Sequence, residues 1–251
     1  MTLHIDKRAV ARAFGRAASC YDRHAELQRI SGDALLAWVP AQTGPQVLDA
    51  GCGTGWYSRL WRDRGKQVMA LDLSPQMLHQ ARQNAVAHHY LAGDIDALPL
   101  ADQSIDLLWS NLVVQWSDDL PAALRQFTRV LKPGGCMLFS TLSAGSLHEV
   151  HEAWSHLDAH VHANRFLPAQ AIAAACATQR LRCHAQTVTL HFPDALSAMR
   201  SLKGIGATHL HAGRADYVLT RRRLAQLEAH WPRDEQGFRL SYHLMYGVSE
   251  S

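Results

Sequence analysis

Apolar residues fall into short runs separated by polar turns, and the period of the runs changes along the chain. Residues 22 to 38 place Leu27, Ile30, Ala34 and Trp38 on one face at helical spacing, which predicts a helical N-terminal extension. Gly44-Pro45 breaks it. Strands at 46–50 and 67–72 then alternate with helices at 55–64 and from Pro75 to about Ala87, the second helix carrying Ser74 as N-cap and Pro75 at its first position. Gly93-Asp94-Ile95 follows at the spacing of another strand end. Ile105 to Ser110 reads as a fourth strand and Leu120 to Leu131 as a helix, and Lys132-Pro133-Gly134-Gly135 turns into a strand at Cys136 to Leu142. Such alternation predicts an α/β fold with parallel strands joined by right-handed crossovers.

The texture changes after Leu142. Residues 146 to 178 read as helical with an interruption at Asn164 to Pro168, 182 to 192 as extended, and 194 to 232 as largely helical, with glycines at 204, 206 and 213. From Phe238 to Val248 apolar residues alternate with others, the period of a strand that closes the sheet in antiparallel sense. One domain spanning 1–251 is expected: an extension at 1–44, a core at 45–142, helical additions with one strand at 143–235, and a closing strand at 236–251.

Composition narrows the function. With 25 basic and 22 acidic side chains the formal charge is +3, which announces no polyanion-binding surface and places nucleic acid low. Five cysteines without a CxxC pair suit packing roles in a reducing compartment. Charges interrupt the first residues, and no run approaches the ~18 apolar residues of a membrane span, so a cytosolic protein is expected. Sixteen histidines include pairs at 148/151, 156/160 and 209/211, yet HExxH is absent and no carboxylate or cysteine partners are evident, so no metal is expected.

The chemistry concentrates in Val47 to Gly55, VLDAGCGTG: a strand, an acid, then a glycine turn entering a helix. Gly51, Gly53 and Gly55 permit a sharp turn and close approach of a ligand to a helix N-terminus. A second strand ends at Asp72, where a carboxylate can accept from ribose hydroxyls. A dinucleotide-binding unit shares these parts, but here the spacing is GxGxG, Trp56 replaces the third glycine of GxGxxG, and Asp49 stands two residues before the first. Residues 45 to 142 resemble the class I S-adenosylmethionine-dependent methyltransferases. The resemblance implies a Rossmann-like, seven-stranded, mostly parallel sheet with an antiparallel last strand, under a helical lid. It places Asp49, Gly51, Cys52, Gly53 and Gly55 near the methionine part of S-adenosyl-L-methionine, Asp72 and Leu73 at the ribose, and Asp94 and Ile95 at the adenine. Ser110 and Asn111, with Leu112, end the fourth strand beside the methyl group. A helix cap or a solvated loop carboxylate is the plainer role for each acid, Asp94 above all. The sequence SNLV at this strand end lacks the paired prolines of adenine amino-methyltransferases, and no Pro-Cys nucleophile for cytosine is present, so base methylation is not expected.

Three further segments, Ala13 to Gln28, His162 to Pro168 and Ala195 to His209, are similar to the malonyl-carrier-protein O-methyltransferases that open the pimelate branch of biotin synthesis. Membership implies methyl transfer to the free carboxylate of a malonyl thioester. Such a carboxylate is ionised at neutral pH, since ordinary carboxyl pKa values are about 4, so no catalytic base is required. Arg165, Arg200 and Lys203 are the expected partners of the carboxylate or thioester carbonyl, with Tyr21 and His24 as lid or donor residues. For the cations a solvated helix face is the ordinary alternative, and for the tyrosine a core position. The resemblance implies an acidic malonyl-acyl carrier protein as partner, with malonyl-coenzyme A the open alternative thioester; a carrier is expected to dock on a basic face that includes some of Lys7, Arg8, Arg12, Arg16 and Arg221 to Arg223, a basic turn that serves only solubility being the alternative. A quinone-type small-molecule methyltransferase and a non-catalytic cofactor-binding partner protein remain the competing functions.

Overall fold

The computed structural model describes residues 5–204 and 220–249. The end of the family-like segment at 201–209, the glycines at 206 and 213, and His209 and His211 lie wholly or partly outside the described residues. The N-terminal extension is not one helix but a helix α1 (Lys7–Ala17), a short 3₁₀ turn at Tyr21–Arg23, and a helix α2 (Glu26–Leu36). The break has a polar cause: Asp22 uses its carboxylate to accept from Thr54 Oγ1 at 2.6 Å and its backbone carbonyl to accept from Arg29 at 2.9 Å. Trp38, expected on the helix, lies beyond it and stacks on His184 at 3.9 Å.

The core follows as β1 (Gln46–Ala50), α3 (Trp56–Asp63), β2 (Gln67–Asp72), α4 (Pro75–Gln83), β3 (His89–Ala92), β4 (Ile105–Asn111), α5 (Leu120–Val130) and β5 (Leu131–Leu142). The KPGG segment belongs to β5 itself, at a register shift in which Ile105 pairs with Leu131 and Leu107 with Cys136. Then come α6 (His148–Ser155), α7 (Ala169–Thr178), β6 (Leu181–Phe192), α8 (Ala195–Gly204), α9 (Arg221–His230), a two-residue β7 (Arg233–Asp234) and β8 (Gly237–Ser249). The interruption between α6 and α7 is longer than expected, and residues 156–168 are without helix. Strand order is β3-β2-β1-β4-β5-β8-β6, with β7 pairing β8 off this path. The first five strands are parallel to one another, and β8 runs antiparallel to both β5 and β6. The expected seven-stranded path is therefore present, with the antiparallel strand inserted before the edge.

Successive residues of each central strand enter opposite cores. Val47, Leu107, Trp109 and Leu138 pack on one face, and Leu48, Leu108, Met137 and Phe139 on the other. This is the period-two signature of a sheet covered on both sides. The chain reverses its direction of travel across the sheet between β1 and β4, and a crevice opens there at the carboxyl ends of the strands.

The extension is seated on this layer through Gly32 of α2. A Cβ at that position would lie 2.1 Å from the Tyr57 ring, whose hydroxyl donates to the Arg29 carbonyl at 2.9 Å and Asp33 at 3.0 Å. Gly32→Ala should therefore destabilise the protein by about 1–2 kcal/mol, overpacking of about 1–3 kcal/mol outweighing the better helix propensity. Urea unfolding is the check, and unchanged stability would mean that α2 does not need this close approach.

Candidate active site

The glycine turn is shaped by backbone need. Gly51, Gly53 and Gly55 all have positive φ, and the Leu71 carbonyl accepts from both Gly51 N at 2.7 Å and Cys52 N at 2.9 Å. The three glycines serve different ends. A Cβ at Gly51 would strike Val113 and one at Gly55 would strike Val86, both packing constraints, whereas one at Gly53 would enter the gap under Tyr21, 3.8 Å from Cε1. Only at Gly53 would the added Cβ point into open space rather than into a packed side chain.

Asp72 organises the turn. Its Oδ2 accepts from Gly53 N at 2.8 Å and its Oδ1 from Ser74 N at 2.7 Å, at the start of a helix capped by Ser74 as expected. Burial pushes its carboxyl up to about 6 against the opposing pull of these N–H groups. Asp49 is more enclosed; Ser58 Oγ donates to it at 2.6 Å, yet burial pushes it up to about 7. Burial also raises the Tyr21 hydroxyl above its ordinary value, helped by Asp72 and Asp22, so the phenol is neutral at physiological pH.

Two cavities meet at Tyr21, Gly51, Gly53 and Asn111. The first, about 610 Å³ with its open mouth, is walled by Leu71, Leu73, Met77, Ile95 and Trp116, with Asp72 and Asp94 among its polar lining. The second, about 460 Å³ on the same measure, carries Asp22, Asp49 and Arg29 with Cys52, Thr54 and Trp109. In it the Gln28 Oε1 and Trp109 Nε1 atoms are buried with no hydrogen-bond partner. An apolar slot with ribose-type acceptors beside a chamber bearing both charge signs fits S-adenosylmethionine, its adenosine in the first and its amino-acid end in the second.

Asn111 joins this site to the extension. Its Oδ1 accepts from Ser31 and Ser140, each at 2.6 Å, and its Nδ2 donates to the Gln28 carbonyl at 2.8 Å. Ser110 is not brought to either cavity: it is fully buried, with its hydroxyl donating to the Ala50 carbonyl at 2.9 Å as a tie between strands. Next along, Leu112 adopts φ 55°, an uncommon conformation for a non-glycine residue, and lines the first cavity.

The substrate-side residues scatter. Tyr21 lines both cavities. His24 instead packs on α8, where a Cβ at Gly204 would lie 2.2 Å from its ring. Arg200 and Lys203 are exposed on the same helix and line neither cavity. Arg165 borders a third, smaller cavity with Gln115, Thr141, Phe166 and Leu167. Among the described residues no three His, Cys, Asp or Glu side chains gather as metal ligands.

Two of the residues offered for the basic face have partners within the chain. Lys7 is largely enclosed, its ammonium 2.9 Å from Asp94 and 2.7 Å from Asp96, because the helix that carries it closes the first cavity. Arg223 bonds Asp158 and lies over Trp154. Sequence reasoning missed Arg29, Asp22, Thr54, Val10 and Phe14 as cavity residues. The signals for the last two were their helical spacing before the core and, for Phe14, its place in the family-like segment Ala13 to Gln28.

Residues 48–139 match the methyltransferase domain family. A protein of Erwinia billingiae named malonyl-acyl-carrier-protein O-methyltransferase is 57% identical over 97% of both chains, and one of Salmonella typhimurium with that name is 54% identical over 98% of both. This chain belongs to the malonyl-acyl-carrier-protein O-methyltransferases. Solved structures share the fold at lower identity. A putative methyltransferase of Bacillus halodurans has TM-score 0.61 at 15% identity, covering 86% of this chain and 96% of its own. A geranyl diphosphate methyltransferase bound to sinefungin has 0.59 at 15%, covering 97% and 98%. Membership in the O-methyltransferase family disfavours the quinone-type and non-catalytic readings.

Because the Asp72 and Asp49 carboxyls titrate at about 6 and 7, the free protein holds protons that its unfolded chain has lost. These two groups make the free protein less stable as pH rises from about 4 to about 7. Cofactor affinity should move the other way, rising with pH as both become acceptors and levelling above about 7.5. Calorimetric titration of S-adenosylhomocysteine from pH 5.5 to 8 checks this, and a flat profile would contradict it. Asp72→Asn, which keeps an acceptor but removes the charge, should weaken binding by about 1.5–3 kcal/mol. An unchanged affinity in the folded variant would remove Asp72 from the ribose site.

Proposed function

We propose that the protein transfers a methyl group from S-adenosylmethionine to the free carboxylate of a malonyl thioester held on an acyl carrier protein, giving the methyl ester that primes pimeloyl synthesis for biotin. The observation that carries this reading is identity above half, over nearly full length, to proteins bearing that name. It agrees with a cytoplasmic location, and no helix among the described residues is long and apolar enough to cross a membrane.

The cofactor supplies an electrophilic methyl group on a sulfonium. The protein's task is to place the carboxylate oxygen in line with it and to keep water away. No side chain need accept a proton, and the neutral Tyr21 phenol suits a wall or a hydrogen-bond donor. Charge is dispersed as the ester forms, so a cation gripping both carboxylate oxygens would favour the ground state over the transition state. Arg165, Arg200 and Lys203 are assigned to one oxygen or to the thioester carbonyl. Arg165 stands beside the third cavity, and Arg200 and Lys203 stand on α8, the helix that His24 packs against. Asp49 and Arg29 take the cofactor's ammonium and carboxylate.

Docking of the carrier is assigned to Arg8, Arg12 and Arg16, which recur every four residues on α1 and are exposed, with Arg221 and Arg222 as a second patch. Complementary charge of this kind speeds encounter and is screened by salt.

Mass spectrometry of malonyl-carrier and malonyl-coenzyme A after incubation with S-adenosylmethionine tests the reaction: a gain of one methyl on the carrier thioester is expected, and no methylation of either thioester would overturn it. With a nucleophile already ionised, kcat/KM should be level between about pH 7.5 and 9 and fall only below about 7. A continued rise to pH 9 would reveal a required base. Single Ala variants at Arg165, Arg200 and Lys203 should raise KM for the malonyl thioester while cofactor affinity stays within about twofold. If all three retain normal turnover, the anion is held elsewhere.

A further inference from the structure

We propose that the cofactor and the carrier protein bind cooperatively through α1, because the two opposite faces of this one helix serve them. The inference rests on the carrier-protein reading above. Lys7, Val10 and Phe14 line the adenosine-side cavity. Arg8, Arg12 and Arg16 are exposed. At about 100° of turn per residue, the two sets fall on nearly opposite sides of the helix. Arg12 makes only a marginal contact with Asp6, at 4.0 Å with both side chains more than half exposed, and Arg8 and Arg16 form no ion pair among the described residues. The outer face is thus a row of three exposed guanidinium groups, complementary to an acidic partner.

What holds α1 down makes it a coupling element. The helix belongs to neither of the two large cores. Ile5 and Val10 pack with Trp116 in a separate small cluster edged by Phe14 and Leu73, and four of these five residues also wall the cofactor cavity. The polar ties are equally local: Lys7 to Asp94 and Asp96, and Ile5 N to Asp118 at 2.8 Å. The apolar seat of α1 is therefore shared between the cavity wall and the packing of Ala13, Ala17 and Gly15, the last against the start of α4. A ligand in the cavity completes that seat, and a partner pressing on the outer arginines holds the same seat closed. Linkage requires the effect to be reciprocal: a carrier that tightens the cofactor is tightened by it to the same factor. Product release then becomes ordered, since departure of the methylated carrier loosens the grip on the spent cofactor.

The experiment uses the full chain and S-adenosylhomocysteine, which supports no turnover. Its dissociation constant is measured by calorimetry alone, with saturating malonyl-acyl carrier protein, and with saturating malonyl-coenzyme A. The carrier is expected to tighten it about fivefold or more, the lower range of ordinary coupling. Malonyl-coenzyme A, which offers the same thioester without the acidic protein, should give a smaller factor. In an Arg8→Ala/Arg12→Ala/Arg16→Ala variant the carrier's factor should fall to near one, at carrier concentrations that saturate the variant. Either an unchanged S-adenosylhomocysteine affinity in the presence of saturating carrier, or full coupling in the triple variant, overturns the proposal. Methylation of both thioesters is followed on the same preparation. Turnover of the carrier thioester without coupling defeats this inference alone, whereas absence of turnover on either malonyl thioester defeats the functional reading.

Discussion

Two carboxylates, Asp49 and Asp72, stand at the ends of adjacent parallel strands in surroundings that lift both well above the ordinary range. Keeping them desolvated requires a cover, and the N-terminal extension supplies it. The extension packs Leu27 and Leu35 into the main core and reaches the rim of the crevice through polar bonds. Thr54 donates to Asp22, Ser31 donates to Asn111, Asn111 donates to the Gln28 carbonyl, and Lys7 bridges Asp94 and Asp96. Each bond has one end in the crevice and the other in the extension, so the site is made where the two parts meet. Low water content strengthens such bonds and makes an unpaired group there expensive, which leaves the unpartnered Gln28 Oε1 and Trp109 Nε1 as the groups that gain most from a polar ligand.

This construction explains a division of labour among residues that look alike in the sequence. Three glycines of one motif have separate duties: Gly51 yields to Val113, Gly55 to Val86, and Gly53 to the space beneath Tyr21. Arginines divide in the same way. Arg223 is absorbed by Asp158 and Trp154, Arg29 faces the chamber with Asp49, and Arg8, Arg12 and Arg16 remain outside. Side-chain type does not distinguish these fates; the position of each residue relative to the extension and the sheet does.

The core was legible because its signals are local. Apolar period, Ser74-Pro75 capping and the acid at each strand end depend on neighbours a few residues away, and β1, β2, β4 and α4 fall close to where the pattern put them. The extension was less legible, since its break at Tyr21–Arg23 depends on Thr54, thirty-two residues from Asp22. Lys7 reads as one more surface cation until Asp94 and Asp96, far along the chain, are folded against it. Ser110 fits the pattern of a strand-end ligand, yet the strand twist turns its hydroxyl to the Ala50 carbonyl. The motif residues Gly51, Gly53 and Asp72 come together on one cavity, whereas Arg165, Arg200 and Lys203, spread over α8 and the loop before α7, have no local signature that says where each one sits.

The central claim is that the N-terminal extension is part of the cofactor site rather than a separate lid above it. Amide hydrogen exchange with and without S-adenosylhomocysteine tests this most directly, since protection reports local opening of each segment. The account predicts that the cofactor slows exchange in residues 7–17 and 21–31 together with the glycine turn at 51–55. Protection confined to the glycine turn and the end of β2, with the extension exchanging as before, would contradict it.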